Sequence, residues 1–515
     1  MDFYKKFDKA KDGTIIPFFY NEKPMFSMYN PNRDVDLFIQ RFANLTEKTA
    51  IFLAGIGNGL ILQKLILNPN ITLIFALEWD KNTLNQVERF LPKSEKIILC
   101  SEENLEEKIL NNYIPQLHGN FIYESVKSWI NAQNQFCKNF SEEKLQHQIL
   151  KVINSISRDI ATQTHFGKLW HKNIFNNIYN FSEANKKNLL ATNSDFEINK
   201  SALIVGASPA LDEEIKNVIS NRNLFFIIAT DTSFQVLNQY KIIPDAVCTL
   251  DGQNVSSHHF FSKLDSKTIL ISDFCSNPLI TRKFIKNNCK IAFTTSGHPL
   301  SELFNLWLIK NYNKKSIYNI SAGNGTVLQL ALDFAFSVGF SDIKIIGAEF
   351  AYTKNKAYCK GTYFDFTNNL KSTKINSNEN NFTSLMFRTK LIKNENGPTT
   401  ETLNSYKEFL ETYLKNRWSK NVSLKPLSHL CLGSPNIVEP QSKNKIIQNT
   451  IANIEGFSAK DFYKWYIDNL EKKEKMLKNS LLPLLAWINN YKKNSDIYNE
   501  ALYITKKLIS FLIGE

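Results

Sequence analysis

The hydrophobic residues between positions 195 and 350 occur in short runs that alternate with amphipathic segments. Seven runs have the length and composition of buried strands. They are 202–205, 225–230, 246–250, 268–272, 290–294, 317–320 and 343–347. Helical spacing follows the first run, where Leu211, Ile215 and Val218 recur on one face. This alternation predicts a doubly wound, Rossmann-like α/β domain with a parallel sheet.

The N-terminal region has the same pattern on a smaller scale. An apolar run at 50–54 ends in the glycine-rich segment 55–59, which opens an apolar helix, and a second run at 71–77 ends at Glu78. Glycines at the turn and an acid after the next strand are typical of nucleotide-binding βαβ units, in which the acid contacts a ribose. We expect a second Rossmann-like domain here, either with a bound nucleotide or as a relic that binds nothing.

Helical patterns connect and follow these domains. Phe166, Trp170 and Ile174 indicate a packed connecting helix, and 354–400 is a polar, Asn/Lys/Thr-rich excursion or lid before an amphipathic helix at 400–414. Beyond position 440 an apolar stripe indicates packed or partner-binding helices. The predicted domains are therefore an N-terminal α/β domain (1–160), connecting helices (161–194), a central domain (195–435) and a C-terminal helical domain (436–515).

Composition narrows the cellular setting. The 515 residues include seven scattered cysteines without a C-x-x-C pair, which predicts reduced thiols and no structural zinc. Because the chain has no apolar leader and no run long enough to span a bilayer, we expect a cytoplasmic protein. The net charge of +13 arises from lysines spread without a dense basic block, so we expect an anionic small substrate or a compositional bias rather than nucleic acid.

Candidate site residues cluster at strand ends in the central domain. In an open α/β sheet, ligands bind beyond the carboxyl ends of the strands. Six residues follow a predicted strand or begin a helix: Gly206, Ser208, Asp231, Asp251, Asn324 and Glu349. Amides at 206–208 and 324–326 would hold phosphates, and the aspartates would accept from a ribose or base. Each acid by itself is equally compatible with a helix-capping role.

Signatures of several enzyme classes are missing from the sequence. It contains no Walker A segment, no H-E-x-x-H motif and no Ser/His/Asp arrangement. His258, His259 and His298 are possible acid/base groups, although none has a partner at suitable spacing. Spacing alone therefore predicts a nucleotide-handling α/β protein whose reaction is open.

The order of motifs nevertheless resembles a known family. The segments that carry the likeness are Leu203-Ile-Val-Gly-Ala-Ser-Pro-Ala-Leu211, Leu250-Asp251, Gly323-Asn-Gly325, Gly347-Ala-Glu-Phe-Ala-Tyr352 and, further upstream, Phe166-Gly-Lys-Leu-Trp170. They are similar to the motility associated factor (Maf) proteins. That resemblance implies a glycosyltransferase that moves pseudaminic or legionaminic acid from its CMP-activated form to Ser/Thr of flagellin, a step needed for flagellar assembly and motility.

The core also resembles bacterial sialyltransferases, and this likeness implies residue roles. Gly206, Ala207 and Ser208 would face the phosphate, and Asp231 and Asp251 the ribose or cytosine. Asn324, next to Gly325, would face the phosphate or the sugar carboxylate. Asp251 and Glu349 are the candidate catalytic carboxylates, and the CMP-sugar donor is expected to need no metal or further cofactor.

Three departures from the family pattern keep alternatives open. Ser208 stands where these families usually have glycine, Ala210 stands in place of serine, and 396–401 has no histidine where the sialyltransferases place their base. One alternative is a pterin pyrophosphokinase-like enzyme that uses ATP. Another is a non-catalytic, flagellin-binding assembly factor.

Overall fold

The computed structural model describes residues 2–320, 325–417, 453–472, 474–491 and 496–514. These form two compact units, Met1–His165 (unit 1) and Phe166–Glu515 (unit 2). Within the described ranges, no helix is long and apolar enough to cross a membrane. Asn324 and the segment 418–452 lie outside the described residues.

Unit 1 contains a four-stranded parallel sheet in the order β5-β4-β3-β6, and an antiparallel hairpin, β1-β2. The strands are β1 (Tyr4–Lys9), β2 (Ile15–Phe19), β3 (Thr49–Ala54), β4 (Ile71–Leu77), β5 (Ile97–Cys100) and β6 (Asn120–Ser125). The helices are α1 (Pro31–Ile39), α2 (Leu60–Leu65), α3 (Lys81–Val87), α4 (Leu105–Asn112), α5 (Pro115–His118), α6 (Lys127–Phe136) and the first part of α7 (Glu142–Lys186).

Unit 2 is built on a seven-stranded parallel sheet in the order β12-β11-β10-β9-β8-β7-β13. The strands are β7 (Ser201–Val205), β8 (Phe225–Thr230), β9 (Ala246–Thr249), β10 (Ile269–Asp273), β11 (Ile291–Thr295), β12 (Tyr318–Asn319) and β13 (Ile343–Ile346). A separate antiparallel hairpin consists of β14 (Leu391–Asn394) and β15 (Gly397–Thr400).

The described helices of unit 2 follow α7 in chain order. They are α8 (Leu211–Ser220), α9 (Asp231–Gln239), α10 (Pro278–Lys286), α11 (Pro299–Tyr312), α12 (Val327–Val338), α13 (Tyr363–Leu370), α14 (Asn378–Met386), α15 (Glu401–Arg417), α16 (Ala459–Leu470), α17 (Lys475–Ser480), α18 (Leu482–Tyr491) and α19 (Ile497–Ile513). A 3₁₀ helix, Asn254–Phe260, lies between β9 and β10. The 354–400 excursion therefore has secondary structure of its own, α13, α14 and the β14-β15 hairpin.

The strand order of unit 2 contains one reversal. From β7 the chain moves steadily outward through β8 to β12, and α12 then returns it to the other side of β7, where β13 pairs. The carboxyl ends of β7 and β13 are thus the topological switch point, where the connections leave to opposite sides. Such a point opens a crevice, which is where doubly wound sheets bind ligands.

Alternate residues of the buried strands supply two cores. Leu203, Val205 and Ile227 join the core under α8 to α11, whereas Ala202 and Ile204 join the core under α12 and α15. Successive side chains of a strand point to opposite faces of its sheet. A strand covered on both faces is apolar throughout, which explains the continuous hydrophobic runs in the sequence.

The second part of α7 is attached to the sheet by asparagine side chains. Asn173 Nδ2 donates to the carbonyl oxygens of Gly252 (2.9 Å) and Cys275 (3.0 Å), and Asn177 Nδ2 donates to those of Phe274 (3.0 Å) and Ser276 (2.8 Å). These carbonyls lie in the loops after β9 and β10. Residues four apart lie on one face of a helix, so Asn173 and Asn177 face the same way. Through them α7 holds the loops that follow β9 and β10 at the carboxyl edge of the sheet.

The C-terminal helices belong to the same core as one face of the sheet. Phe462 of α16 lies 4.9 Å from Phe304 and 5.4 Å from Trp307 of α11, measured between ring centroids. The leucines of the apolar stripe predicted beyond position 440 are buried: Leu470, Leu477, Leu481, Leu484 and Leu485. These helices therefore complete the hydrophobic core of unit 2.

The α/β fold class predicted from the sequence is confirmed. Each of the seven strands expected in the central sheet overlaps an observed strand, as do the two expected at 50–54 and 71–77 in the N-terminal sheet. The hairpin β1-β2 and the strand β6 were not predicted. Half-buried residues line most of β6, and it lacks the continuous apolar run that marks the other strands.

A substitution at Gly167 tests the crossing of α7 and α18. A Cβ atom at Gly167 would lie 1.8 Å from the Pro483 carbonyl oxygen. In an exposed helix, Gly→Ala stabilises by about 1 kcal/mol, whereas overpacking costs about 1–3 kcal/mol. We therefore expect Gly167→Ala to lower the free energy of unfolding, measured by urea denaturation. As a control, Lys172→Ala on the exposed face should change it by less than about 0.5 kcal/mol. A gain in stability at Gly167 would contradict the close crossing.

Candidate functional site

Two glycines meet at the switch point. Gly206 follows β7, and its amide donates to the Ile346 carbonyl (2.8 Å), while the Ser208 amide donates to the Gly347 carbonyl (3.0 Å). A Cβ on Gly206 would lie 2.2 Å from the Gly347 oxygen, and one on Gly347 would lie 2.5 Å from the Gly206 oxygen. Gly347 also has a φ of +66°. Only glycine at both positions permits this approach of the two backbones.

These bonds correct the predicted phosphate contacts of the turn. The amides of Gly206 and Ser208 already have carbonyl partners, so they are not available to a ligand. Across the described ranges, no hydrogen-bond acceptor is found for the amides of Ala207 and Ala210. Ala210 is the N-cap of α8 and has no capping side chain. The donors left at this turn are therefore Ala207 and Ala210, next to the positive end of α8.

The Ser208 hydroxyl donates to Glu349 Oε2 across the switch point. A glycine at position 208 would have no hydroxyl to donate to this acid. Burial raises the pKa of Glu349, and the charge of Glu214 adds to the rise. A carboxyl whose pKa is raised towards neutrality is suited to proton transfer.

The β14-β15 hairpin fixes the loop that carries Glu349. Asn396 Nδ2 donates to the Glu349 carbonyl (3.0 Å), and Thr399 Oγ1 donates to the Phe350 carbonyl (2.6 Å). Phe350 has a φ of +51°, a left-handed conformation that is strained for an aromatic residue. The histidine-free segment 396–401 thus lies against the switch-point loop and holds it through amide and hydroxyl groups.

Asp231 is the buried first residue of α9. Ser233 Oγ, one turn into the helix, donates to the Val205 carbonyl at the end of β7 (2.6 Å), which brings α9 to the switch point. The Asp231 carboxylate accepts from the Thr232 amide (2.7 Å) and from Thr249 Oγ1 (3.3 Å). Burial raises its pKa, against the charge of a nearby histidine, and the Asp251 carboxylate contributes a smaller rise.

Asp251 follows β9, and its Oδ1 accepts from the Gln253 amide (2.9 Å). That bond is the turn-stabilising role considered for each acid by itself. Asp251 also interacts electrostatically with Asp231 and with His259. The structure therefore brings the two predicted aspartates together, whereas Glu349 lies in the loop after β13.

His259 belongs to this cluster, although the sequence gave it no partner. It is 6% exposed, and within the described part of the chain its Nδ1 has no hydrogen-bond partner. Burial lowers its pKa, while the carboxylates of Asp231 and Asp251 act in the opposite direction. The one sequence signal is that His259 follows Asp251 within the same loop. Its other partner, Asp231, is distant in sequence.

The start of the excursion covers the turn after β7. The Cys359 amide donates to the Ala207 carbonyl (3.0 Å), and the Lys360 amide donates to Asp212 Oδ1 (2.9 Å). Burial raises the pKa of Tyr358, and the charge of Asp231 contributes to the rise. This segment thus reaches both the turn after β7 and the aspartate cluster.

The second predicted phosphate loop is described only in part. Asn324 lies outside the described residues, and Gly325 has a φ of +81°. Thr326 Oγ1 accepts from the Gln329 amide (3.2 Å) and caps α12, which packs over β7, β8 and β9. Gly325 therefore lies at the carboxyl edge of the sheet. Among the described residues, no group of three or more His, Cys, Asp or Glu side chains could hold a metal ion.

Two further histidines are structural. His171 Nε2 is 2.9 Å from Thr505 Oγ1, and His298 Nδ1 accepts from the Leu300 amide (3.2 Å) as the N-cap of α11. Burial lowers the pKa of each to about 3, so both are neutral at physiological pH. His298, one of the possible acid/base groups in the sequence, thus caps a helix.

The glycine-rich turn of unit 1 is filled by side chains of the protein. The fully buried Glu78 accepts at Oε1 from the amides of Ile56 and Gly57 (both 2.9 Å) and from the Tyr4 hydroxyl (2.9 Å). Its Oε2 accepts from Trp129 Nε1 (2.8 Å). The acid expected to contact a ribose thus occupies the amides that would bind a phosphate. Burial raises its pKa to about 7 in spite of these donors.

The space above this turn is also closed. A Cβ on Gly55 would lie 2.6 Å from the Trp129 ring, and one on Gly57 would lie 2.3 Å from Met25 Sδ. Residues 55–58 are buried. The glycines therefore permit close packing of Met25 and Trp129, which supports the interpretation of unit 1 as a Rossmann-like relic.

Unit 2 is similar to proteins of known family or structure. The family model of 6-hydroxymethylpterin diphosphokinase MptE-like proteins matches residues 172–355, which include β7 to β13. A solved structure, the MAf glycosyltransferase from Magnetospirillum magneticum AMB-1, is similar with a TM-score of 0.53 at 12% identity. The alignment covers 100% of this chain and 91% of that chain. The protein therefore shares a glycosyltransferase-like fold.

Three uncharacterised proteins of Treponema pallidum (strain Nichols) are related in sequence. One is 31% identical over 160 residues, which are 30% of this chain and 70% of that protein. The others are 32% and 30% identical, over 131 and 146 residues. Those matches span 44% and 25% of the relatives' own lengths.

The raised pKa of Glu78 predicts a pH-dependent stability. Because the carboxyl ionises near pH 7 when folded and near 4.3 when unfolded, its contribution is greatest below about pH 4 and declines until about pH 7. Glu78→Gln does not titrate. As the pH rises across this interval, we expect the unfolding free energy of the wild type, measured relative to that of Glu78→Gln, to fall by up to about 3 kcal/mol. Urea denaturation at several pH values measures it, and a pH-independent difference would contradict the burial of an ionisable group.

Proposed function

The chain belongs to the same family as the uncharacterised Treponema pallidum protein that is 31% identical to it, and we propose that it is a glycosyltransferase. Its donor would be a CMP-activated nonulosonic acid, pseudaminic or legionaminic acid. Its acceptor would be a serine or threonine of flagellin. The shared fold with a MAf glycosyltransferase supports the reaction class, and the resemblance of the sequence motifs supports the donor and acceptor.

The observation that carries the proposal is the arrangement at the switch point. The amides of Ala207 and Ala210, which have no acceptor in the ranges that the structure describes, lie at the N-terminus of α8. This is the geometry that binds a phosphate. Two acids in the first turn of α8 have partners, because Glu213 pairs with Lys354 and Asp212 accepts from the Lys360 amide. Their negative charge is therefore partly offset where the donor phosphate would bind.

The reaction assigns distinct roles to the surrounding groups. The acceptor hydroxyl oxygen attacks the anomeric carbon, the bond from that carbon to the phosphate oxygen breaks, and CMP leaves with the electron pair. The amides of Ala207 and Ala210 stabilise the leaving phosphate. Asp231 and Asp251 would accept hydrogen bonds from the ribose or cytosine. Asp251 and Glu349 are the carboxylates of the site for proton transfer, and Asn324 and Gly325 would contribute to donor binding near α12.

A second candidate is supported by the family model. A match to 6-hydroxymethylpterin diphosphokinase MptE-like proteins over residues 172–355 is compatible with transfer of diphosphate from ATP to a hydroxymethylpterin. This match ends before α13, α14 and the β14-β15 hairpin, which holds the Glu349 loop. A third candidate, a flagellin-binding assembly factor without catalysis, rests on Ser208 and Ala210 in place of the usual turn residues.

Replacing Asp251 tests the catalytic assignment. We expect Asp251→Asn to reduce CMP release from the CMP-sugar, with flagellin as acceptor, by about 10²–10⁴-fold, because the cluster loses a charge that assists proton transfer. Asp265→Asn is the matched control. Its Oδ1 accepts from the amide two residues ahead (2.9 Å), as that of Asp251 does, but it precedes β10 and lies at the amino edge of the sheet. Equal rates for wild type and Asp251→Asn would remove Asp251 from the mechanism.

Binding separates the candidates. Isothermal titration of the full chain with CMP and, side by side, with ATP and Mg²⁺ should show binding of CMP only. Binding of ATP alone would favour the diphosphokinase. Binding of neither, together with an unchanged intact mass of flagellin from a deletion strain, would favour the non-catalytic factor.

A further inference from the structure

The proposed reaction needs an acceptor for the hydroxyl proton, and a histidine at the site has a buried ring nitrogen without a partner. A general base needs a lone pair that can reach the proton it accepts. Glu349 Oε2 accepts from the Ser208 hydroxyl and Asp251 Oδ1 accepts from the Gln253 amide, so each carboxylate has one oxygen engaged by a protein donor. His259 Nδ1 is buried and has no hydrogen-bond partner among the described residues.

We propose that His259 is the general base of the transfer, and that Asp231 and Asp251 stabilise the cation which it becomes. This assignment rests on the proposed glycosyltransferase function. It gives Asp251 an electrostatic role in place of direct proton abstraction. The observations that carry it are the buried imidazole nitrogen without a partner among the described residues, the aromatic side chains around the ring, and the electrostatic interaction of the ring with Asp231 and Asp251.

The charge environment of His259 suits a base that starts neutral. Burial lowers its pKa, so the imidazole is unprotonated at physiological pH and has a free lone pair. The carboxylates of Asp231 and Asp251 act in the opposite direction and favour the imidazolium. A neutral base next to fixed negative charge becomes stabilised as it takes a proton, which lowers the barrier of the transfer.

Aromatic side chains surround the His259 imidazole. The His259 ring lies 5.5 Å from the Phe364 ring and 5.9 Å from the Tyr363 ring, and Tyr358 stacks on Phe364 at 4.8 Å. These side chains belong to α13 and the segment before it, the part of the chain that covers the Ala207 turn. An apolar wall excludes water, so interactions between the imidazole and the carboxylates are weakly screened.

The proton balance is complete with these groups. As the acceptor oxygen bonds to the anomeric carbon, its proton moves to the imidazole, and CMP leaves with the electron pair of the broken bond. The imidazolium then returns the proton to solvent after the products leave. No metal, oxidant or additional reactant is needed for this step.

Removal of the imidazole, followed by its return from solution, tests the assignment. We expect His259→Ala to reduce the rate of sugar transfer by about 100-fold or more. Added imidazole should raise the rate of this variant about tenfold. His259→Gln, which keeps a polar side chain of similar length, should also be slow and should not respond to imidazole. Titration with CMP should give wild-type affinity for both variants.

The neighbouring histidine provides the matched control. His258 stacks on Phe261 (4.9 Å) and contacts Tyr363 (4.7 Å), and its Nδ1 is likewise buried without a hydrogen-bond partner among the described residues. It therefore resembles His259 in its packing and in its ring nitrogen, whereas the electrostatic interaction with Asp231 is that of His259. His258→Ala should retain a rate within a few-fold of wild type and gain nothing from imidazole.

The outcomes separate this assignment from the proposed function. A wild-type protein that transfers sugar, with His259→Ala equally active, would overturn the assignment alone. A slow His259→Ala that imidazole cannot rescue, with weakened CMP binding, would show a structural role and would also overturn it. A wild-type protein that binds CMP but transfers no sugar would overturn the proposed function and the base assignment together.

Discussion

The close approach of two backbones at Gly206 and Gly347 is the constraint on which the site depends. Each glycine lies where a Cβ would overlap the carbonyl oxygen of the other. This approach, at the reversal of the strand order, brings Ser208 within reach of Glu349. Among the described residues it leaves Ala207 and Ala210 as the donors of the turn without an acceptor. The site thus follows from the topology together with two positions that admit only glycine.

The two units use a similar turn in different ways. In each, a strand ends in a glycine-containing turn, and an acid from the end of a neighbouring strand reaches back to it. In unit 1 the acid is Glu78, which accepts from the backbone amides and is buried beneath Trp129. In unit 2 the acid is Glu349, which accepts from a hydroxyl and leaves amides open. Unit 1 therefore has a packed core at this place, and unit 2 has the geometry of a binding site.

The sequence predicted the sheet of unit 2 well, because strands covered on both faces leave continuous apolar runs. It also predicted that Asp231 and Asp251 lie together, since carboxyl ends of parallel strands share one edge. It could not predict which amides of the turn lack an acceptor, because two of them donate to the carbonyl oxygens of residues 346 and 347, far along the chain. Nor could it pair His259 with Asp231, since burial and the Phe364 wall bring them together in three dimensions only.

The sequence also could not predict whether the glycine-rich turn of unit 1 binds a ligand. A glycine-rich segment after a strand, with an acid after the next strand, has the same sequence pattern whether the acid faces a ribose or the turn itself. What decides is the packing of Met25 and Trp129, which come from the hairpin region and from α6. No local spacing encodes these contacts.

The proposed function requires a nucleotide phosphate to bind at the switch point of unit 2. A crystal structure of the full chain with CMP would locate that phosphate. We expect it within hydrogen-bond distance of the Ala207 and Ala210 amides, with the nucleoside towards Asp231 and Asp251. A phosphate bound at the Gly55–Gly59 turn with Glu78 displaced, or at any place away from the ends of β7 and β13, would contradict it.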